Sequence, residues 1–136
     1  MTCELCDDVG GQLLWQGEHC RIVHIDQPGY PGYCRVIWNR HVKEMTDLRE
    51  GERAHILQAV FAVETALRGL LNPEKVNLAC LGNITPHLHW HVIARFADDP
   101  HFPESIWGTE QRPATRPTPP GIAAAIARQL SAMDLR

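Results

Sequence analysis

Residues 86–95 read PHLHWHVIAR, and this stretch decides the fold that we expect for the chain. Three histidines, His87, His89 and His91, alternate there with mainly apolar residues. A β-strand sends every second side chain to the same face. The pattern therefore predicts a strand over 87–95, with a row of solvent-facing imidazoles on one face and core residues on the other. One strand histidine is usually structural, but three in alternation indicate a chemical role.

The spacing of the histidines bears on which chemistry they perform. At about 3.3 Å per residue, the Cα atoms of His87 and His91 lie roughly 13 Å apart, which disfavours one metal ion held by all three. Neutral imidazole is a nucleophile at pH 7, since its pKa is near 6.5. The row favours covalent or acid–base chemistry, with one histidine as nucleophile and a neighbour as proton donor. A metal-dependent hydrolase that uses a His-x-His pair remains a second hypothesis.

Composition limits the class of protein. The chain has 136 residues, which suits one domain, and 44% of them are hydrophobic, as in a globular protein. A net charge of −3 argues against a nucleic-acid partner. Apolar runs fall short of the roughly 20 residues of a membrane span, and the first residues are acidic where a signal peptide is basic. We therefore expect a cytoplasmic protein with no membrane partner.

Periodicity predicts strands around one long helix. We expect strands over 13–15, 20–25, 33–38, 76–81 and 87–95, and an amphipathic helix over 52–71 that ends at Asn72-Pro73. Residues 112–120 hold four prolines and predict a stiff arm, followed by a C-terminal helix over 121–135 that packs on the body or on a partner. The expected class is α+β with a largely antiparallel sheet of about five strands. Residues 1–111 would form the main domain and 112–136 the arm and its helix.

The pair Cys3 and Cys6 near the start of the chain is open to three interpretations. A CxxC can be a redox pair, half of a metal site, or chance. A redox CxxC usually opens a helix after a strand, and only two residues precede Cys3. Tetrahedral zinc would need two further ligands. Five cysteines, an odd number, indicate thiols or a metal site and not a disulfide framework.

The run HLHWHVI at residues 87–93 resembles the signature of the histidine triad (HIT) superfamily of nucleotide hydrolases and transferases. The similarity extends over about residues 3–96 and is strongest to a bacterial subgroup labelled diadenosine-tetraphosphate-hydrolase-like. It implies a HIT-like fold, a homodimer, and cleavage of a nucleoside phosphate anhydride, ester or phosphoramidate at the α-phosphorus. Its substrates would be nucleotides such as a diadenosine polyphosphate or an adenylyl amine. No cofactor would be required for the chemistry.

The resemblance also implies residue roles. His89 would attack phosphorus and form a nucleotidyl-histidine, while His91 would hydrogen-bond the phosphate or the leaving-group oxygen. His87, the first triad histidine, would face the cysteine pair. Four residues occupy the family's substrate-binding positions or lie next to them: Asp26 near the ribose, Asn77 near the phosphate, and Asn83 and Thr85 before the triad. In the metal-containing branch of the superfamily, the matching zinc ligands would be Cys3, Cys6, His41 and His87.

The chain departs from the family pattern just before the triad. Asn83 stands where the family usually has Gln, and Ile84 stands where a phosphate-contacting Ser or Thr often follows, with Thr85 one residue later. The leaving group and base preference therefore stay open. The alternative hypothesis is a nucleotide-binding or metal-binding regulatory protein with little catalytic activity.

Overall fold

The computed structural model describes residues 3–135 and contains one five-stranded antiparallel sheet. Its strands are β1 (Gln12–Gln16), β2 (Cys20–His24), β3 (Tyr33–Trp38), β4 (Lys75–Ala79) and β5 (His89–Arg95). Their order across the sheet is β1-β2-β3-β5-β4, so β3 and β4 flank the histidine strand. The helices are α1 (Glu4–Asp7), α2 (Glu50–Leu71) and α3 (Ile122–Ser131), with a 3₁₀ turn at Met45–Asp47. The predicted α+β class is confirmed.

Helix α2 covers one face of the sheet. Its apolar side is buried, and it packs with the inward residues of β2, β3 and β5 in the main hydrophobic core. The helix begins two residues before the prediction, because the Glu52 carboxylate accepts a hydrogen bond from the backbone N–H of Arg49 at 2.8 Å and caps the first turn. It ends at Asn72, which adopts a left-handed conformation before Pro73. By length and composition alone α2 would also suit a membrane span, but its buried side forms the core of this fold.

The predicted strand over 87–95 is two residues too long at its start. The backbone N–H of His87 donates to the carbonyl of Thr85 at 2.9 Å, which closes a turn and takes His87 out of the strand. Strand β4 likewise occupies Lys75–Ala79 and not the predicted 76–81, because the chain turns away after Ala79 into the loop between β4 and β5. The histidine row therefore has two members on the strand, His89 and His91, and a third just before it.

The C-terminal arm returns to the body of the protein. Helix α3 buries Ile122, Ile126 and Leu130 in the same core as α2, and it contacts α2 and β1. It is shorter than the predicted 121–135, since the chain leaves the helix after Ser131. The division into a domain over 1–111 and an arm over 112–136 stays a prediction.

Arg21 on β2 holds the N-terminal segment against the sheet face opposite α2, and helix α1 in this segment was not predicted from the sequence. Its buried guanidinium donates to the carbonyl oxygens of Leu5, Asp8 and Val9 and to Oδ1 of Asn39. Four acceptors satisfy this charge without a carboxylate. The clamp fixes α1, and with it both cysteines of the CxxC pair, beside the loop that precedes β5.

A buried ion pair organises the loop that follows β5. Arg95 donates to Asp99 at 2.7 and 3.0 Å, and both side chains are almost completely buried. Burial alone would raise the pKa of Asp99, but Arg95 and the backbone N–H groups of Phe96 and Phe102 together lower it. The loop therefore has a fixed start and returns over the sheet toward the histidines.

The close approach of Gly32 to α2 and β5 gives a test of this packing. A Cβ on Gly32 would lie 2.7 Å from Leu71 Cδ1 and 2.8 Å from the Cβ of Ala94. We expect Gly32→Ala to lower the free energy of unfolding by about 1–3 kcal/mol through overpacking, measured by urea denaturation.

Gly69→Ala in α2 is the matched control for this substitution. A Cβ there would meet nothing within 4 Å, so the change should stabilise the protein by roughly 0.5–1 kcal/mol through helix propensity. A neutral or stabilising Gly32→Ala would contradict the packing described.

Candidate active site and candidate metal centre

A cavity of about 600 Å³ opens on the sheet face opposite α2. Its walls come from α1, β3, β5, the loop between β4 and β5, and the loop after β5. His89 and His91 lie in its floor, and their side chains are buried, with 5% and 4% exposed. The expected row of solvent-facing imidazoles is therefore wrong, because the rings of His89 and His91 are buried in the floor of a pocket.

The ring of His89 is held in one tautomer. Its Nδ1 lies 2.5 Å from the backbone carbonyl oxygen of His87, and because a carbonyl only accepts, Nδ1 carries the proton. In the neutral ring, Nε2 then keeps its lone pair. Burial lowers the pKa of His89 and the charge of Arg35 lowers it further, against the opposing effect of the His87 carbonyl. His89 thus presents a neutral, nucleophilic Nε2.

The surroundings of His91 favour the other tautomer. Its Nδ1 lies 3.2 Å from the hydroxyl oxygen of Tyr33, and that oxygen accepts a long hydrogen bond, 3.4 Å, from Arg35. The same hydroxyl can donate its own proton to Nδ1 of His91, and we expect this arrangement, which leaves the ring proton on Nε2. Burial lowers the pKa of His91 to about 3, and charge on His89 and Arg35 acts in the same direction. His91 is a neutral N–H donor.

The two rings form a complementary pair. Their centroids are 4.9 Å apart, with the ring planes nearly perpendicular. A lone pair on one ring beside an N–H on the other suits attack on an electrophilic phosphorus or carbonyl centre, with a hydrogen bond to the oxygen where charge develops. Trp107 contacts His91 from the loop after β5, with centroids 4.8 Å apart, and covers this end of the pair.

The structure brings together some of the predicted substrate-binding residues. Asn83, Ile84 and Thr85 all line the cavity from the loop before β5, and the Ile84 side chain is 96% exposed. Asn77 is not in the lining, because its Oδ1 accepts a hydrogen bond from Arg95 at 2.7 Å. Asp26 is exposed and also lies outside the lining formed by residues 3–135. Their roles as substrate contacts stay predictions.

Three residues at the site were not predicted from the sequence: Arg35 and Ser105, which line the cavity, and Tyr33, which contacts His91. Arg35 interrupts the apolar run of β3, and Tyr33 lies two residues before it on the same face. A charged residue in the middle of a central strand was the available signal. Ser105, in the loop after β5, also lines the cavity and had no signal in the sequence.

Beside the cavity, four side chains form a candidate metal centre. The sulfur atoms of Cys3 and Cys6 and ring nitrogens of His41 and His87 all lie within 4.8 Å of one another. Cys3 Sγ and His41 Nδ1 each lie 3.3 Å from His87 Nδ1, and Cys6 Sγ lies 3.4 Å from His41 Nδ1. Tetrahedral zinc with its usual bonds to nitrogen and sulfur gives ligand separations of about 3.3–3.8 Å. The donor set and spacing fit such an ion.

The ring of His87 is oriented for this centre and not for the cavity. Its Nε2 lies 2.6 Å from the carbonyl oxygen of Trp38 and donates to it, so Nδ1 directs its lone pair at the cysteines and His41. Metal-ligating histidines commonly have such a backbone partner. Burial lowers the pKa of His87, which favours the neutral form that a ligand requires.

Known proteins match the chain in sequence and in fold. Residues 9–98 match the family model for the HIT domain. AP-4-A phosphorylase of Mycobacterium tuberculosis is 28% identical over 112 residues, which are 78% of this chain and 57% of the relative. The chain thus spans little more than half the length of that curated relative.

Solved structures share the whole fold. A histidine triad protein from Bradyrhizobium japonicum is 26% identical and superposes with a TM-score of 0.77 over 96% of each chain. A Zn-bound histidine triad family protein from Mycobacterium smegmatis is 18% identical, with a TM-score of 0.69 over 97% of this chain and 95% of that one. At that identity the second similarity concerns the fold alone.

Nitrogen NMR of the histidine rings tests the proton positions. At neutral pH we expect His91 to be uncharged with its proton on Nε2, and Tyr33→Phe to mix the two tautomers because the donor to Nδ1 is gone. Tyr30→Phe is the control, since the Tyr30 hydroxyl contacts His101 and Asp99 instead. A His91 ring that carries its proton on Nδ1 in the unaltered protein would refute the assignment.

Proposed function

The chain belongs to the HIT domain family, and from that membership and the state of its two buried histidines we propose that it is a nucleotidyl hydrolase or transferase with His89 as nucleophile. The observation that carries the proposal is the hydrogen bond from His89 Nδ1 to the His87 carbonyl, which leaves Nε2 free in the cavity. The similarity to an AP-4-A phosphorylase supports a nucleotide as substrate.

In the first step, His89 Nε2 attacks the α-phosphorus of the bound nucleotide. A P–N bond forms while the bond from phosphorus to the leaving group breaks. The imidazole then carries a positive charge, and its Nδ1–H donates to the His87 carbonyl, which stabilises that charge. The Nε2–H of His91 donates to a phosphoryl or leaving-group oxygen, a contribution typically worth about 10²–10⁴ in rate.

In the second step, water or another acceptor attacks the same phosphorus. The P–N bond breaks, its electron pair returns to Nε2, and His89 regains its neutral form. The acceptor transfers its proton to the surrounding groups or to solvent. Splitting the reaction into two displacements is the general advantage of a covalent nucleophile.

One observation supports the alternative of a nucleotide-binding regulatory protein. The exposed Ile84 contributes no polar group where the family often has a phosphate contact, and only Asn83 and Thr85 flank it. Binding without turnover across anhydride, ester and phosphoramidate substrates would favour this alternative. The homodimer and the cytoplasmic location also stay predictions.

The four-residue centre is proposed to hold a structural zinc ion. Cys3, Cys6, His41 and His87 supply two thiolates and two neutral imidazoles, a donor set that zinc prefers. When bound, the ion would connect α1 and the segment after β3 to the residue whose carbonyl orients His89. The chemistry at phosphorus belongs to the histidines in the cavity and needs no cofactor in this proposal.

Removal of the nucleophile tests the enzymatic function. His89→Ala should lower turnover of diadenosine tetraphosphate or adenosine phosphoramidate by at least about 10³-fold. His89 is buried, so the variant's thermal unfolding is measured in parallel and the assays are run below its midpoint. His55→Ala, on α2 away from the cavity, is the control and should retain activity. Full activity in His89→Ala would eliminate His89 as the nucleophile.

Acid-quenched mass spectrometry tests the covalent intermediate directly. During turnover, the peptide that contains His89 should carry one nucleotidyl group, and the same peptide from His89→Ala should carry none. An active enzyme that never shows this adduct would support direct attack by water instead.

Metal analysis tests the proposed zinc site. The purified protein should contain about one zinc per chain, and Cys3→Ser combined with Cys6→Ser should abolish binding and lower the thermal unfolding midpoint by several degrees. Cys80→Ser is the control, because Cys80 is exposed and outside the cluster. Equal zinc content in the two variants would place the metal elsewhere.

A further inference from the structure

Arg35 carries a positive charge into the wall of the active-site cavity. It lies on β3, it is half-buried, and it lines the cavity together with His89 and His91. Its Nε is buried and has no hydrogen-bond partner among residues 3–135. The long hydrogen bond to the Tyr33 hydroxyl is weak compensation for a guanidinium in this position.

The charge of Arg35 is not matched inside the protein. Glu4 lines the same cavity, but within the described residues no ion pair joins Arg35 to any carboxylate. Arg35 is half-buried, whereas the two buried arginines of the described chain are fully compensated, since Arg95 pairs with Asp99 and Arg21 donates to four oxygens. A guanidinium is always charged, and burying it without a partner is costly. An anion bound in the cavity would compensate this charge.

The register of β3 against β5 indicates where such an anion would lie. Arg35 pairs with His91 across the sheet, whereas Ile37 pairs with the nucleophile His89. Two residues along a strand correspond to about 6.6 Å. The guanidinium is displaced further in the same direction, because its Cζ lies over the Tyr33 ring at 5.7 Å. An anion at Arg35 would thus lie beyond the phosphorus that His89 reaches, on the side toward Tyr33.

The geometry points to a second anion subsite at Arg35, which binds the phosphoryl group next to the phosphorus attacked by His89. This inference rests on the proposed function and narrows its substrate class to nucleoside polyphosphates, in which a second charged phosphate follows the first. Arginine presents two parallel N–H donors that match two phosphoryl oxygens. A phosphoramidate or a simple ester has no group for this subsite.

Equilibrium binding of AMP and ADP, followed by calorimetry at pH 7.5, tests the subsite without turnover. The unaltered protein should bind ADP roughly 10- to 100-fold more tightly than AMP, the range expected for a hydrogen-bonded charge. Arg35→Gln should remove this preference and leave AMP affinity within about 3-fold of the original. Arg35→Lys keeps the positive charge but lacks the two parallel N–H donors, so it should restore part of the preference. Arg128→Gln, an exposed position on α3, is the matched control and should behave as the unaltered protein.

Turnover gives an independent reading. Arg35→Gln should lower kcat/KM for diadenosine tetraphosphate by roughly 10- to 100-fold more than kcat/KM for adenosine phosphoramidate, because any effect of Arg35 on His89 and His91 acts on both substrates alike. Equal binding of AMP and ADP by the unaltered protein would overturn the subsite, and so would an equal loss on both substrates in the variant. If neither substrate is cleaved, the proposed function fails, but the preference for ADP still decides whether the subsite exists.

Discussion

The carbonyl oxygen of His87 lies 2.5 Å from Nδ1 of His89, and the chemistry of the site depends on this contact. The carbonyl is itself held firmly, since the ring of the same residue donates to Trp38 through Nε2 and points Nδ1 at the two cysteines and His41. One residue thus uses its backbone for the proposed nucleophile and its side chain for the candidate metal centre. A change at the cysteines would reach the nucleophile through a single peptide unit.

His89 and His91 show how neighbours give one residue type two opposite roles. Both rings are neutral because burial lowers both pKa values, but a carbonyl sets the proton of the first and a hydroxyl sets that of the second. The positive charge of Arg35 opposes protonation of each ring. The same charge attracts anions, so it would favour the neutral histidines and the binding of a phosphate at once.

Much of the fold was predictable from periodicity alone. The alternation before Arg95 predicted β5, and the spacing of apolar residues with Asn72-Pro73 predicted α2 to within two residues. The partners of the histidines were not predictable in this way. Tyr33 and Arg35 reach His91 only through the register of β3 against β5, which depends on contacts more than fifty residues apart in the chain.

The position of His87 shows a different limit of prediction from strand periodicity. Strand periodicity gave it the same face as His89 and His91, but a local turn at Thr85 removed it from the strand. The resemblance to the HIT superfamily supplied what periodicity could not, namely the association of His87 with His41 and the cysteines. Helix α1, only four residues long, depends on the Arg21 clamp, and no local pattern predicts it.

The loop after β5 places Trp107 edge-on against His91, and its indole is 49% exposed. The other three tryptophans, Trp15, Trp38 and Trp90, are partly or wholly buried, and none lines the cavity in the described chain. Occupation of the cavity would therefore change the surroundings of one indole out of four. The protein contains its own fluorescent reporter of ligand binding, and a Trp107→Phe variant supplies the background to be subtracted.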